Sequence, residues 1–178
     1  MGLGQMMSVI GALMLLSMVS LGINTMIIGK TTTMLEAEAS LAAISLAQTM
    51  IDEIQTKSYD ASTVTQHVYN AANFTASASL GPNATEQSNV SLPDNSTPFK
   101  SDKYYNDVDD YNYYRRSAST PLLGTFTITD TIYYVSETDP NQVSSTQTFF
   151  KKIVITVRHP NMSYPLQLSD IAVYRRYF

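Results

Sequence analysis

Cysteine is absent from the 178 residues, which excludes disulfides, thiolate metal sites and cysteine nucleophiles. A domain of this chain placed outside a cell would have to hold together by packing alone. Charge is scarce as well, at 15% of residues, and the first 29 residues contain no Asp, Glu, Arg, Lys, His or Pro. Catalytic signatures are also lacking. His67 and His159 are isolated, and His159, beside Pro160, is expected in an exposed turn. The sequence has no phosphate-binding glycine loop, zinc spacing or nucleophile elbow, and Gly2-Leu3-Gly4 lacks both a third glycine and a preceding strand. These absences point away from an enzyme.

What is present divides sharply at Lys30, the first charged side chain. The apolar run from Met6 to Ile28 is long enough to cross a hydrocarbon core of about 30 Å as a helix. It is too long for a signal-peptide core and has no basic start. No Lys or Arg precedes it, as a plain signal anchor would require on its cytoplasmic side. A chain that has lost a short charged leader would look like this, with Met1 as the mature N-terminus. The remaining sequence has room for one domain of modest core. Its charges are uneven: residues 31–140 carry fourteen acidic and five basic side chains, and residues 141–178 carry one and five. They can meet within one domain or attract neighbouring copies, each exposed pair adding little.

Beyond Lys30 an amphipathic pattern takes over. Met34, Ala37, Leu41, Ile44, Ala47, Ile51 and Ile54 recur at spacings of three and four, opposite Glu36, Glu38, Ser45, Gln48, Asp52 and Gln55. One helix to about Lys57 is expected, about 80 Å long if continuous at 1.5 Å per residue. Gly22, Asn24, Gly29 and the Thr31-Thr32-Thr33 run are weak helix formers, so a break is expected there. Thr33 with Glu36 has the spacing of a capping box that would restart the helix. Ser8, Gly11, Ala12, Ser17, Ser20 and Gly22 offer the small side chains that close helix packing in an apolar medium needs.

The charge-free helix, its amphipathic continuation and the stretch Ala47-Gln48-Thr49-Met50-Ile51-Asp52-Glu53-Ile54 resemble the type IV pilin-like proteins, which include minor pilins and secretion pseudopilins. The resemblance covers about the first 60 residues. A second likeness is Tyr105-Asn106-Asp107-Val108-Asp109-Asp110-Tyr111-Asn112, similar to an Asp-rich segment of some pilin-like heads. It implies an α+β fold, a long N-terminal hydrophobic helix packed on a small antiparallel sheet. Residues 1–30 would form the transmembrane and filament-core helix, residues 31–57 its amphipathic continuation, and residues 58–178 a β-rich head. The implied function is that of a structural subunit of an extracellular helical filament, waiting in the cytoplasmic membrane before assembly. Its partners would be copies of itself, the membrane and the pilus or secretion assembly machinery. Met1, Gln5, Val9, Ile10, Leu13, Leu16 and Val19 are the expected polymerisation residues. Where pilins carry Glu at the fifth position, pairing with a neighbour's N-terminal amine, this chain has Gln5; cleavage after Gly4 would instead put Val9 fifth. Either way that ion pair is missing. The alternatives are a minor pseudopilin or assembly factor, and a membrane-anchored binding ectodomain.

Within the head, residues 58–101 are rich in Ala, Ser, Thr and Asn and punctuated by Pro82, Pro93 and Pro98. They read as a long loop region with a short strand or two. Residues 125–135, 146–157 and 166–177 read as strands, with a turn at 159–163. Five sequons occur, at Asn73, Asn83, Asn89, Asn95 and Asn161, where composition alone gives about two. They are candidate glycosylation sites in exposed loops. Asp102, Asn106, Asp107, Asp109 and Asp110 offer oxygen ligands for a structural Ca²⁺ but lack the glycine and terminal Glu of an EF-hand. The other readings are a solvated acidic turn, or pairing with Arg115 and Arg116. The clustered Tyr104, Tyr105, Tyr111, Tyr113 and Tyr114, with Tyr174 and Tyr177, suit either subunit interfaces or ordinary packing. Tyr114-Arg115-Arg116 and Tyr174-Arg175-Arg176 could stack on nucleic acid, but the net charge of −4 argues against that partner.

Overall fold

The computed structural model describes residues 2–175. It contains two compact units, one ending at Glu38 and one beginning at Ala39. The first is helical throughout from Leu3, within a helix α1 that spans Leu3–Gln55. The expected break at Gly22, Asn24 and Gly29 does not occur. Thr33 does not restart a helix either: its hydroxyl donates to the Gly29 carbonyl at 3.0 Å, as an interior residue does. Abundant Leu, Met and Ala carry the helix through these weaker positions.

The second unit is α+β. It contains the C-terminal turns of α1 and four strands: β1 (Arg115–Thr120), β2 (Gly124–Tyr134), β3 (Phe150–Arg158) and β4 (Leu166–Val173). They form one antiparallel sheet in the order β1-β2-β3-β4. The turn from β1 to β2 closes at Gly124, whose φ of +86° disfavours any other residue. Sheet alternation buries Phe126, Ile128, Ile132 and Tyr134 of β2 and Ile153, Ile155 and Val157 of β3. All of these side chains except Tyr134 share one core with Ala39, Ala43, Ala47, Met50, Ile51 and Ile54 of α1. The three alanines let the helix backbone approach closely, and each is fully buried.

The buried stripe differs from the one read from spacing. The two agree at Ala47, Ile51 and Ile54, but Met34, Leu41 and Ile44 are exposed and Ala37 is not buried. Spacing identifies an apolar face, and α1 has two. β1 was not legible either, because Arg-Arg-Ser-Ala-Ser-Thr lacks the apolar side chains that mark a strand. It exists because its backbone pairs with β2 from Arg115↔Thr129 to Thr120↔Gly124.

The stretch 58–101 contains no strand among the described residues. It instead forms 3₁₀ turns at Ala61–Thr63, Ala71–Asn73 and Ser77–Ser79, the short helix α2 (Ala84–Asn89) and the start of α3 (Lys100–Tyr104). Side-chain caps from Asp60, Asn70 and Asn83 open the turns at Ala61 and Ala71 and the helix α2. Asn83 accepts from Thr85 and Glu86 while Glu86 accepts from Asn83, closing a capping box on α2. The segment is anchored by Phe74 and Leu80, which join Tyr59, Val68, Tyr134 and Phe149 in a second, aromatic core.

Candidate assembly surface and the polar interior of the head

From Leu3 to Ile28 every large apolar side chain of α1 is exposed, and Leu13 is 57% accessible. The helix is long and apolar enough to cross a membrane. Its hydroxyls are turned inward on its own backbone. Ser17 donates to the Leu13 carbonyl at 2.8 Å, Thr25 to Gly22 at 2.9 Å, Thr31 to Ile27 at 3.0 Å and Thr32 to Gly29 at 2.9 Å. Ser8 does the same with Gln5. A hydroxyl satisfied in this way can face hydrocarbon or a neighbouring helix with little desolvation cost. The segment thus presents an apolar cylinder, not an amphipathic face.

The expected polymerisation residues Val9, Ile10, Leu13, Leu16 and Val19 all lie on that exposed surface. Met1 lies outside the described residues. Gln5 is exposed, and its Oε1 accepts from the Gly2 amide at 3.4 Å. It thereby caps its own helix start.

Four sequon asparagines, Asn73, Asn83, Asn95 and Asn161, are exposed. Asn89 is half-buried, and its amide donates to the Thr85 carbonyl at 2.8 Å. Asn83 uses its carbonyl oxygen to cap α2.

The buried carboxyls of the acidic cluster accept hydrogen bonds from the chain itself. Asp102 is 72% exposed and lies 3.6 Å from Lys57. Asp107, Asp109 and Asp110 are buried. Asp107 Oδ1 accepts from the Asp109 and Asp110 amides, and Asp110 Oδ2 accepts from those of Asn106 and Asp107. Asp109 meets Lys151, and the Asn106 amide donates to Glu86. No three acidic or histidine groups among the described residues are placed to hold a metal. The tyrosines are also mostly interior: Tyr105, Tyr111 and Tyr114 form an edge-to-face triad with centroids 5.0–5.6 Å apart. Tyr174 joins the aromatic core, Tyr113 is exposed, and Tyr177 lies outside the described residues. Arg116 is buried and therefore not offered to a nucleic acid. His159 is buried too, contrary to the expectation of an exposed turn. It stacks on Phe126 at 4.2 Å, its Nδ1 accepts from the Asn161 amide, and its Nε2 therefore donates to the Leu123 carbonyl at 2.8 Å.

Sequence reasoning missed the ionic interior of the head. Arg116 donates from Nη1 to Glu53 Oε2 at 2.5 Å, and Glu53 Oε1 also accepts from Ser101 and Tyr111. Asp94 takes hydrogen bonds from Ser96, Lys100, Ser101 and Tyr114. Lys151 is fully buried between Asp60 and Asp109. One signal was available for it: Lys151 falls in phase with the inward-facing Ile153, Ile155 and Val157.

Burial is the main force on these carboxyls. It pushes Asp110 up to about 7, with Glu86 adding to the rise against two backbone hydrogen bonds. It pushes Asp107 up to about 9, helped by Asp109 and Asp110. Burial raises Asp130, whose oxygens have no hydrogen-bond partner among the described residues, well above the ordinary carboxylate value, with Arg116 opposing and Glu53 reinforcing. Burial also opposes ionisation of Asp60, but Lys151 and hydrogen bonds from Thr75 and Ser62 hold it below its usual value. Asp94 is likewise held low against burial by Ser96, Lys100 and Ser101.

The sign of the pH dependence follows. Asp107, Asp110 and Asp130 bind protons more tightly folded than unfolded, so stability falls as pH rises from 3.8 towards 7 and 9. Asp60 and Asp94 contribute stability that is lost only at lower pH. Thermal unfolding of the detergent-solubilised chain is expected to show a Tm at pH 5 above that at pH 8 by ~3 °C or more, since 1 kcal/mol moves Tm by about 2–4 °C at this size. A Tm that stays flat or rises over that interval contradicts the assignment.

No family model, curated protein or solved structure matches the chain.

Proposed function

We propose that this protein is a structural subunit of an extracellular, type IV pilus-like helical filament. The observation that carries the reading is the exposed apolar surface of α1 from Leu3 to Ile28. Such a surface needs a wholly apolar environment, either lipid or a bundle of identical helices. Moving from one to the other changes hydrophobic energy little, so close packing drives association. Back-bonded hydroxyls and small residues such as Gly11, Ala12 and Ser17 suit that exchange. Met34, Leu41 and Ile44 are exposed as well and add apolar contact area for a neighbouring copy. The exposed sequons would sit on the outer surface of the filament as candidate glycosylation sites.

The test is to shear cells and image the released material by cryo-electron microscopy. Filaments containing this chain, with residues 3–29 bundled along the axis, are expected. Monomers retained in the membrane would overturn the reading and favour an anchored ectodomain or assembly factor.

A further inference from the structure

Sheet alternation calls for an apolar side chain at position 151, and a lysine is there instead. Its Nζ is fully buried, 2.7 Å from Asp109 Oδ1 and 3.0 Å from Asp60 Oδ2, and it donates to the Tyr59 carbonyl at 2.7 Å. The rings of Tyr59 and Tyr134 lie 4.5 and 5.2 Å from it. As an ion cluster the arrangement has one cation facing two carboxyls out of water, which is a weak source of stability. As a set of reactants it is well matched. The unprotonated amine is the form of a lysine that attacks acyl carbon, and a hydrogen bond holds Lys151 Nζ in contact with the Asp109 carboxyl. Aromatic walls exclude water, which disfavours the reverse hydrolysis.

The two other carboxyls take complementary parts. Asp60 accepts from Thr75, Ser62, Tyr134 and Lys151, a set that suits an ionised base. Asp107 shares a hydrogen bond with Asp109 and is held protonated by burial and its acidic neighbours, which suits a proton donor.

We propose that Lys151 and Asp109 join in an intramolecular isopeptide bond, with Asp60 as base and Asp107 as acid. The Lys151 ammonium passes one proton to Asp60, and the freed amine forms a C–N bond to Asp109 Cγ while Asp107 protonates the carboxyl oxygen. One C–O bond then breaks. That oxygen leaves as water with the equivalent of two ammonium protons, the third stays on the amide nitrogen, and Asp60 and Asp107 end in their starting states. No oxidant or cofactor is consumed. The bond ties β3 to the 107–110 turn across 42 residues, a covalent loop closure in a chain without cysteine.

The experiment is intact-mass spectrometry of the full chain, purified in detergent and denatured before injection. The expected mass is one water below the sequence mass, and digestion is expected to yield a branched peptide joining Lys151 to Asp109. The full sequence mass, or a branch to Asp60 instead, overturns the proposal. The Asp107→Asn variant keeps a hydrogen-bonding side chain of the same shape but lacks the acidic proton, and it is expected at full mass. An Asp107→Asn chain that is still one water light removes Asp107 from the step.

Discussion

Leu13→Lys is expected to abolish filaments while leaving the head folded. Leu13 lies near the middle of the apolar segment and is 57% exposed. A lysine at the centre of a membrane helix costs about 2.5–3.5 kcal/mol on insertion scales. In a homopolymer the penalty recurs in every subunit, and each new charge would face copies of itself in a medium that screens little. The yield of filaments in the sheared fraction should therefore fall to background. The thermal unfolding of the head should be unchanged, because its core begins at Ala39. Normal filaments from Leu13→Lys would refute the proposed packing of α1.

Arg116→Met carries the largest expected loss of stability. Arg116 is 3% exposed, neutralises Glu53 at 2.5 Å and lies over the Phe99 ring at 4.4 Å. Its charge also bears on the buried Asp130. Methionine keeps much of the volume but leaves the Glu53 carboxylate with only Ser101 and Tyr111 as partners. Removing one member of a buried pair in this way costs about 3–5 kcal/mol, or roughly 6–20 °C in Tm for a domain of this size. The double variant Arg116→Met with Glu53→Gln should recover part of the loss, because the orphaned charge is then gone. A single-variant cost below ~1 kcal/mol would show that the pair is not a structural support.

The parts of this molecule that sequence could reveal are those set by local pattern. The charge-free run before Lys30, the resumption of helical spacing beyond it and the alternation around Ile128, Ile132, Ile153 and Ile155 each report an element through its own residues. β1 has no such signal. Its six residues become a strand only because Phe126, Ile128 and their neighbours on β2 supply a partner. The helix break was expected from propensity at Gly22, Asn24 and Gly29, and that preference was too weak against the flanking Leu, Met and Ile. The Asp-rich segment was visible as a cluster. Whether its carboxyls faced a cation, solvent or a lysine depended on β3, more than 40 residues away.

By itself, the sequence determined that one apolar helix precedes one cysteine-free α+β head, because hydrophobic length and period are properties of contiguous residues. Only the tertiary structure decided which of the two apolar faces of α1 is buried, since Ala39, Ala43 and Met50 are chosen by the shape of the sheet and not by spacing. It also decided that Lys151 lies between Asp60 and Asp109 and that Arg116 meets Glu53. Those pairings join residues 42 to 91 positions apart, and a charge reveals nothing about its partner until folding has brought the two out of water together.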